Sequence, residues 1–258
     1  MSYRDILVSD AEGIRTITLN RPEAGNKFRD VTCVELLDAL QRFRTAPDLR
    51  AAILTGAGEK FFCIGGEHDE LHGLDYSNVL PIIDVYQAID TIAKPIVAAV
   101  NGFAVGGGNV LHTMCDLTIA ADNAVFRQVG PMVGSFDAGF GTWYLEDTIG
   151  RKRAKEMWYL NRKYTAVQAL SMGLVNEVVP AGELVARARE VASELLTRSP
   201  LALGALKAAF SARHNGVSGQ ARMAHDQQLT LYLTTREAKE MSSAFGERRA
   251  PDPSLFWT

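Results

Sequence analysis

Short apolar stretches alternate with amphipathic stretches between residues 6 and 120 of this 258-residue chain. Residues 6–8 and 14–19 alternate polar and apolar side chains around Asp10-Ala-Glu-Gly13, which predicts a β-hairpin. Buried strands are predicted at 51–55, 96–100 and 117–120, and helices at 31–43 and 78–92. Strands that alternate with helices predict an α/β fold.

Helical stretches dominate from Arg151 onward. Periodic apolar residues predict helices at 151–160, 166–172, 182–197, 200–212 and 218–246. The sequence therefore predicts a β-rich core followed by a helical C-terminal region, with a boundary between Pro180 and Pro200.

Composition and charge narrow the class of protein. Hydrophobic residues make up 47% of the chain and charged residues 22%, which is typical of a folded domain rather than a disordered chain. A formal net charge of −3 argues against nucleic acid or an anionic membrane as the main partner. The three cysteines are far apart, and residues 1–10 contain no signal-peptide core. We therefore expect a cytoplasmic protein.

Two glycine-rich segments each stand between a predicted strand and a predicted helix. They are Phe62-Cys-Ile-Gly-Gly-Glu67 and Val105-Gly-Gly-Gly-Asn109. Glycine lets a ligand approach the backbone closely, and the first N–H groups of a helix have no partner within the helix. Together the segments could hold one oxygen that gains negative charge during a reaction, whereas either alone is more often a tight turn.

Other motifs with catalytic meaning are absent from the sequence. No G-x-G-x-x-G opens the first strand–helix unit, no G-x-x-x-x-G-K-[ST] forms a phosphate-binding loop, and no G-x-S-x-G marks a serine hydrolase. His68-Asp-Glu-Leu-His72 comes near the zinc-protease pattern H-E-x-x-H, but aspartate replaces the glutamate and no third ligand is evident. We therefore expect no metal site, and a solvated flap at these residues.

Several further segments complete a recognisable pattern. Residues 94–108 join the two glycine turns, and Cys115-Asp-Leu-Thr-Ile-Ala120 follows them. Leu19-Asn-Arg-Pro-Glu23 opens the pattern, and residues 169–176 and 198–200 close it. With these segments, nearly the whole chain resembles the crotonase (enoyl-CoA hydratase/isomerase) superfamily.

This resemblance implies a fold, an assembly and a substrate class. The fold is a spiral of β-β-α turns over residues 1–195, which holds the active site, followed by a helical trimerisation region over residues 196–258. The assembly is a homotrimer or a dimer of trimers, and the substrate is an acyl-coenzyme A thioester. The N–H groups of Gly66 and Gly107 would form the oxyanion hole. The positions assigned to coenzyme A binding are Ala24, Lys27, Cys63, Gly65 and Arg248. Arg248 would also suit the negative end of the last helix.

Two positions disagree with a simple hydratase. By resemblance, hydratases of this family add water with two glutamates, one of them two residues after the triple glycine and the other in a later strand-to-loop segment. This chain has Val110 and Gly130 there. Valine cannot transfer a proton and glycine has no side chain, so the sequence disfavours enoyl-CoA hydration.

The loop after Phe126 offers different chemistry. Ser135 and Asp137 stand two residues apart among glycines, so both reach one cavity if the loop is extended there. A hydroxyl and a carboxylate can position and deprotonate a carbon acid or a water molecule, although a simple turn is the alternative. With residues 158–160 and 230–234, the loop is similar to two subfamilies. One is 1,4-dihydroxy-2-naphthoyl-CoA synthase, which closes a ring by Claisen condensation. The other is 2-ketocyclohexanecarboxyl-CoA hydrolase, which opens a ring with water.

The resemblance assigns catalytic roles to three residues. Asp137 would be the general base, Tyr232 would exchange a proton at the other face, and Ser135 would orient the substrate or the aspartate. Tyr232 lies in a helical stretch, where an aromatic side chain is more often part of the packing.

The loop after Gly66 helps to choose between the subfamilies. Naphthoyl-CoA synthases have lysine and arginine there, whereas residues 67–76 of this chain are acidic and contain neither. We therefore expect retro-Claisen hydrolytic ring opening of a cyclic β-keto acyl-CoA. Synthase-type cyclisation and a non-catalytic coenzyme A-binding homologue are the alternatives.

The expected substrate pocket departs from both subfamilies. Its residues by resemblance are His68, Arg127, Gln128 and Gly130. Arg127 replaces a small residue, and Glu67 replaces the usual aspartate. No cofactor is expected beyond the coenzyme A of the substrate, except that bicarbonate could fill the gap at Gly130, as in some naphthoyl-CoA synthases.

Overall fold

The computed structural model describes residues 3–67, 81–136, 140–212 and 229–256. Its strands are β1 Ile6–Ala11, β2 Ile14–Leu19, β3 Ala51–Gly56, β4 Phe61–Cys63, β5 Ile96–Val100, β6 Phe103–Val105, β7 Leu117–Ala121, β8 Val125–Arg127, β9 Tyr164–Thr165 and β10 Glu177–Val179. Its helices are α1 Asp30–Thr45, α2 Ile82–Thr91, α3 Gly107–Met114, α4 Phe140–Ile149, α5 Arg151–Leu160, α6 Ala166–Met172, α7 Leu184–Leu196, α8 Pro200–Ala212, α9 Thr230–Thr234 and α10 Arg236–Glu247.

The strands form two sheets, and the chain passes from one to the other repeatedly. The larger sheet has the order β1-β2-β3-β5-β7-β10, and the smaller has the order β4-β6-β8-β9. Strands β3 and β4, β5 and β6, and β7 and β8 are consecutive pairs, each with one member in each sheet and a helix after it. The expected β-β-α spiral is therefore confirmed. The division at residue 195 and the trimerisation role of the C-terminal region stay predictions.

The parallel strands of the larger sheet are covered on both faces. One face packs against α7, where Ile53, Val97 and Ile119 contact a cluster that includes Leu184 and Ala188. The other face joins the main core with α1, α2 and α3. Because the parallel strands are covered on both sides, they are continuous apolar runs, which is why residues 51–55, 96–100 and 117–120 could be predicted from the sequence.

Two expectations about secondary structure need correction. The second strand of each β-β-α turn was not predicted, because β4, β6 and β8 have three residues each and carry too short a pattern. The predicted single helix over 218–246 is wrong in its described part, because Thr235 interrupts it in an extended conformation between α9 and α10. The Thr235 hydroxyl accepts a hydrogen bond from the Ala238 N–H at 3.1 Å, which makes it the N-cap of α10. Residues 218–228 lie outside the described ranges.

No helix within the described ranges is long and apolar enough to cross a membrane.

His112 is fully buried, where its ring nitrogens face Asn109 Oδ1 at 3.1 Å and Thr118 Oγ1 at 3.4 Å. Burial lowers the pKa of His112 to about 3, so this histidine is a neutral core residue and not an acid–base group.

Candidate active site

A cavity of about 590 Å³ opens at the carboxyl ends of β4, β6 and β8. Parallel strands bring the segments that follow them to the same edge of a sheet, which is where ligands bind in many α/β folds. The cavity therefore contains residues from six separate parts of the sequence. They are Lys27, Ile64–Gly66, Val105–Gly107, Arg127–Gly130, Met132, Val133, Ser135, Phe136, Trp158, Ser242, Phe245 and Gly246.

The two glycine turns meet in one wall of this cavity, and Phe28 holds the first of them. The Phe28 N–H donates to the Gly65 carbonyl at 3.0 Å, and the Glu67 N–H donates to the Phe28 carbonyl at 2.9 Å. A Cβ added to Gly65 would lie 3.4 Å from the Gly107 nitrogen, so the turns are in close contact. Gly65 also has φ of +95°, a conformation that other residues rarely adopt.

The N–H groups of Gly66 and Gly107 are free to bind a ligand. Neither donates a hydrogen bond to another residue of the described chain, and both glycines line the cavity. Gly107 is the first residue of α3, so its N–H lies at the positive end of that helix. Two free amides in one wall can stabilise an oxygen that gains negative charge.

The surroundings of Gly107 leave no space for a side chain. A Cβ at this position would lie 2.6 Å from Cζ of Phe28 and 3.0 Å from the Tyr86 hydroxyl. That hydroxyl donates to the Gly107 carbonyl at 3.1 Å, and the Tyr86 ring is fully buried. The buried Tyr86 side chain therefore fixes the orientation of the peptide plane that follows Gly107.

The loop after β8 forms the opposite side of the cavity. Its Ser135 N–H donates to the Gly130 carbonyl at 2.9 Å, which folds the loop back on itself and brings Ser135 and Phe136 into the lining. A Cβ at Gly130 would lie 2.9 Å from the Ser135 carbonyl, so this close return requires glycine. Asp137 follows directly but lies outside the described residues, as does His68.

Tyr232 on α9 reaches the same loop. Its ring packs edge-on against Phe136, with 5.3 Å between the ring centroids. Its hydroxyl makes no hydrogen bond with another described residue, and burial raises the pKa of this hydroxyl. The tyrosine therefore keeps its proton at neutral pH and is able to donate it.

Gln128 is a buried polar residue whose side-chain amide has no hydrogen-bond partner among the described residues. Its side chain lines the cavity and is fully buried, and neither the amide nitrogen nor the amide oxygen has a hydrogen-bond partner in the described structure. A buried amide without partners costs free energy, on the order of 1–3 kcal/mol for each unsatisfied group. Its position favours a bound molecule that both accepts and donates hydrogen bonds there.

Comparison with known proteins decides the family. The sequence profile described as enoyl-CoA hydratase/isomerase matches residues 9–254. The chain belongs to this family.

Solved structures of family members superpose closely on the chain. An enoyl-CoA hydratase from Mycobacterium avium subsp. paratuberculosis K-10 is 28% identical, with a TM-score of 0.87 over 97% of this chain and 99% of the other. A carnitinyl-CoA hydratase from Mycobacterium avium is 30% identical, with a TM-score of 0.84 over 97% and 98%. A monofunctional enoyl-CoA isomerase from M. smegmatis is 31% identical, with a TM-score of 0.72 over 85% and 98%. These relatives support the crotonase resemblance, but none of them is named as either of the two expected subfamilies.

The fold of this crotonase places the residues predicted to bind coenzyme A in different environments. Lys27 and Gly65 line the cavity. Ala24 is partly buried at the end of a 3-10 turn, and Arg248 is exposed at the end of α10. Cys63 is fully buried, and burial raises the pKa of its thiol to about 12. Its position therefore gives no support to a role in binding.

The two hydratase positions have the environments that their residue types suggest. Val110 is 1% exposed and belongs to the main core, and Gly130 presents no side chain to the cavity. Glu67, the acid that the described chain has beside the glycine turn, forms an ion pair with Arg21. Among the residues described, no three histidine, cysteine, aspartate or glutamate side chains are grouped to hold a metal ion, and His68 and His72 lie outside them.

Sequence reasoning missed the helix that closes the cavity. Ser242, Phe245 and Gly246 of α10 line it, together with Met132 and Trp158. The spacing i, i+3, i+4 places the three α10 residues on one helical face, which was the available signal. That face could not be assigned to the cavity from the sequence, because α10 is more than 100 residues from the glycine turns.

Proposed function

We propose that this crotonase opens a cyclic β-keto acyl-CoA with water by a retro-Claisen reaction. The observation that carries the proposal is the pairing of two free glycine amides with a loop that bears Ser135 in one cavity, in a chain that has Val110 and Gly130 where a hydratase would need acids. The names of the relatives favour hydration or isomerisation instead. The proposal rests on the side chains of this chain, because family members share a fold more than a reaction.

The proposed reaction uses four groups. The amides of Gly66 and Gly107 hold the thioester oxygen. Asp137 takes a proton from water, whose oxygen then attacks the ring ketone. The bond between the ketone carbon and the α-carbon breaks, and its electron pair forms the thioester enolate at the glycine amides. Tyr232 donates its proton to the α-carbon and is reprotonated by Asp137 through solvent, so the net change is the addition of one water molecule.

Bicarbonate fits the chemistry of the buried Gln128 amide. It can accept a hydrogen bond from the amide nitrogen and donate one to the amide oxygen, both of which lack partners among the described residues. The loop itself fills the space of the missing Gly130 side chain, because the Ser135 carbonyl lies 2.9 Å from where a Cβ would be, so the ion would lie at the Gln128 amide. When bound, it would supply a proton acceptor in the cavity.

The C-terminal region is proposed as the trimerisation surface. Leu201, Leu206 and Phe210 of α8 are 84%, 57% and 75% exposed. Leu206 and Phe210 stand four residues apart and therefore share one face of α8, and exposed apolar neighbours are typical of an interaction surface. We propose that residues 196–258 bury them in a homotrimer or a dimer of trimers.

Crotonyl-CoA hydration by the purified protein is expected to be negligible, because no acid stands at either hydratase position. The same preparation should add water to 2-ketocyclohexanecarboxyl-CoA and release heptanedioyl-CoA, measured by mass spectrometry of the thioesters. Hydration of crotonyl-CoA at about 10 per second or more would be ordinary enzymatic turnover. That result would contradict the proposal. Thioester binding without turnover on either compound would favour the non-catalytic homologue.

Tyr232→Phe is expected to lower the ring-opening turnover at least about 10-fold, because the ring and its packing on Phe136 remain while the proton donor is lost. Steady-state kinetics would show the loss in kcat, with the affinity for the thioester product nearly unchanged. An unchanged kcat would show that Tyr232 is a packing residue.

A further inference from the structure

Arg127 is a cation in the cavity wall that has no acidic partner among the described residues. It follows Val125 and Phe126 in β8 and lines the cavity with Gln128, Val129 and Gly130. Its Nε donates to the Asn161 carbonyl at 2.6 Å, and its Nη2 lies 3.4 Å from Met132 Sδ. Within the described chain it forms no ion pair with a carboxylate.

The contacts of Arg127 hold the side chain in place but leave most of its donors unused. A guanidinium has five N–H donors, and sulfur is a weak acceptor. The bond to Asn161 fixes Nε, so the two terminal nitrogens remain for a ligand. The side chain is partly buried, where a charge is screened less than on the surface. The electrostatic attraction between Arg127 and an anionic ligand is therefore stronger than it would be on the surface.

Arg127 lies beside the glycine turn and thus near the acyl end of a bound thioester. Its backbone pairs with Val105 across β6 and β8, and its carbonyl accepts a hydrogen bond from the Gly106 N–H at 3.0 Å. The long pantetheine arm separates the thioester from the phosphates of coenzyme A. The anion that reaches Arg127 is therefore a group on the acyl chain.

We propose that Arg127 binds the carboxylate of the open-chain acyl group, so that the site selects thioesters whose opened form is an ω-carboxyacyl-CoA. This inference rests on the proposed ring opening. When water adds to the ring ketone and the C–C bond breaks, the ketone carbon becomes a carboxylic acid, which loses its proton to solvent at neutral pH. The planar guanidinium fork matches this carboxylate with two parallel hydrogen bonds. Arg127 is a binding and specificity residue, and it exchanges no proton.

The test compares the binding of three thioesters of equal chain length. Heptanedioyl-CoA carries the carboxylate, whereas its ω-methyl ester and heptanoyl-CoA carry no charge at that end. Calorimetry measures the affinity of the intact protein for each compound. Wild type is expected to bind heptanedioyl-CoA about 10- to 100-fold more tightly than the two neutral compounds. Arg127→Met should abolish this preference and keep the affinity for heptanoyl-CoA. Arg127→Lys should retain part of it.

The matched control is Arg189→Met, which removes a partly buried arginine of α7 whose ion-pair partner is Glu12 at 3.6 Å. It should keep the full preference for heptanedioyl-CoA.

Equal affinity of wild type for all three thioesters would overturn the inference without affecting ring opening, which is measured separately. A preference that persists in Arg127→Met would also overturn it and would assign the carboxylate to another cation. Failure of wild type to bind any of the three would reject the proposed function itself. The wild-type comparison does not depend on the folding of a variant.

Discussion

Asp137→Asn is expected to lower the turnover of a cyclic β-keto acyl-CoA about 10²- to 10⁴-fold. Asparagine has nearly the same shape as aspartate, but its amide cannot take a proton from water. The nucleophile would then be water that no base activates. Single-turnover and steady-state kinetics with 2-ketocyclohexanecarboxyl-CoA would measure the loss in kcat, and the affinity for heptanedioyl-CoA should change little.

The comparison for this prediction is Ser135→Ala, made two residues away in the same loop. Its effect should be smaller, because water can partly replace a hydroxyl that orients a partner. The backbone bond from Ser135 to Gly130 at 2.9 Å does not involve the side chain, so the loop should keep its path. Near-full turnover by Asp137→Asn would contradict the mechanism, because the variant has no carboxylate to act as the base. The base would then have to be His68 or a bicarbonate ion beside Gln128, since Glu67 is paired with Arg21.

Gly107→Ala is expected to lower turnover about 10²- to 10³-fold, the usual cost of losing one oxyanion donor. The added Cβ would lie 2.6 Å from the Phe28 ring, closer than real Cβ contacts allow. Phe28 cannot retreat easily, because its backbone is bonded to Gly65 and Glu67 on either side. The start of α3 must therefore shift, and with it the N–H that faces the cavity.

The matched control for this substitution is Gly182→Ala, at a glycine with no atom within 4 Å of the added Cβ and no left-handed backbone. It should leave kcat unchanged. Thermal unfolding of both variants separates a local shift from loss of the fold. If folded Gly107→Ala opened the ring at the wild-type rate, the glycine pair would not be the oxyanion hole.

Physical patterning explains how much of the fold could be predicted. Strands β3, β5 and β7 are continuous apolar runs because both faces of the larger sheet are covered, and α5, α6 and α8 have bounds that match the predicted ones. The break at Thr235 could not be predicted, because a threonine in a helical pattern can either continue the helix or cap the next one, and the apolar periodicity is the same in both cases.

The sequence by itself determined the family pattern, the two glycine turns and the absence of acids at Val110 and Gly130. These features are local, since they depend on residue type and on short spacings along the chain. Tertiary structure decided which residues share the cavity. It placed Phe28 against Gly107 and brought Phe245 of α10 to the cavity. Among the described residues, it left the buried Gln128 amide without a hydrogen-bond partner and Arg127 without a carboxylate. The residues that line the cavity run from Lys27 to Gly246 along the chain, and the free energy of each contact depends on neighbours that no local pattern predicts.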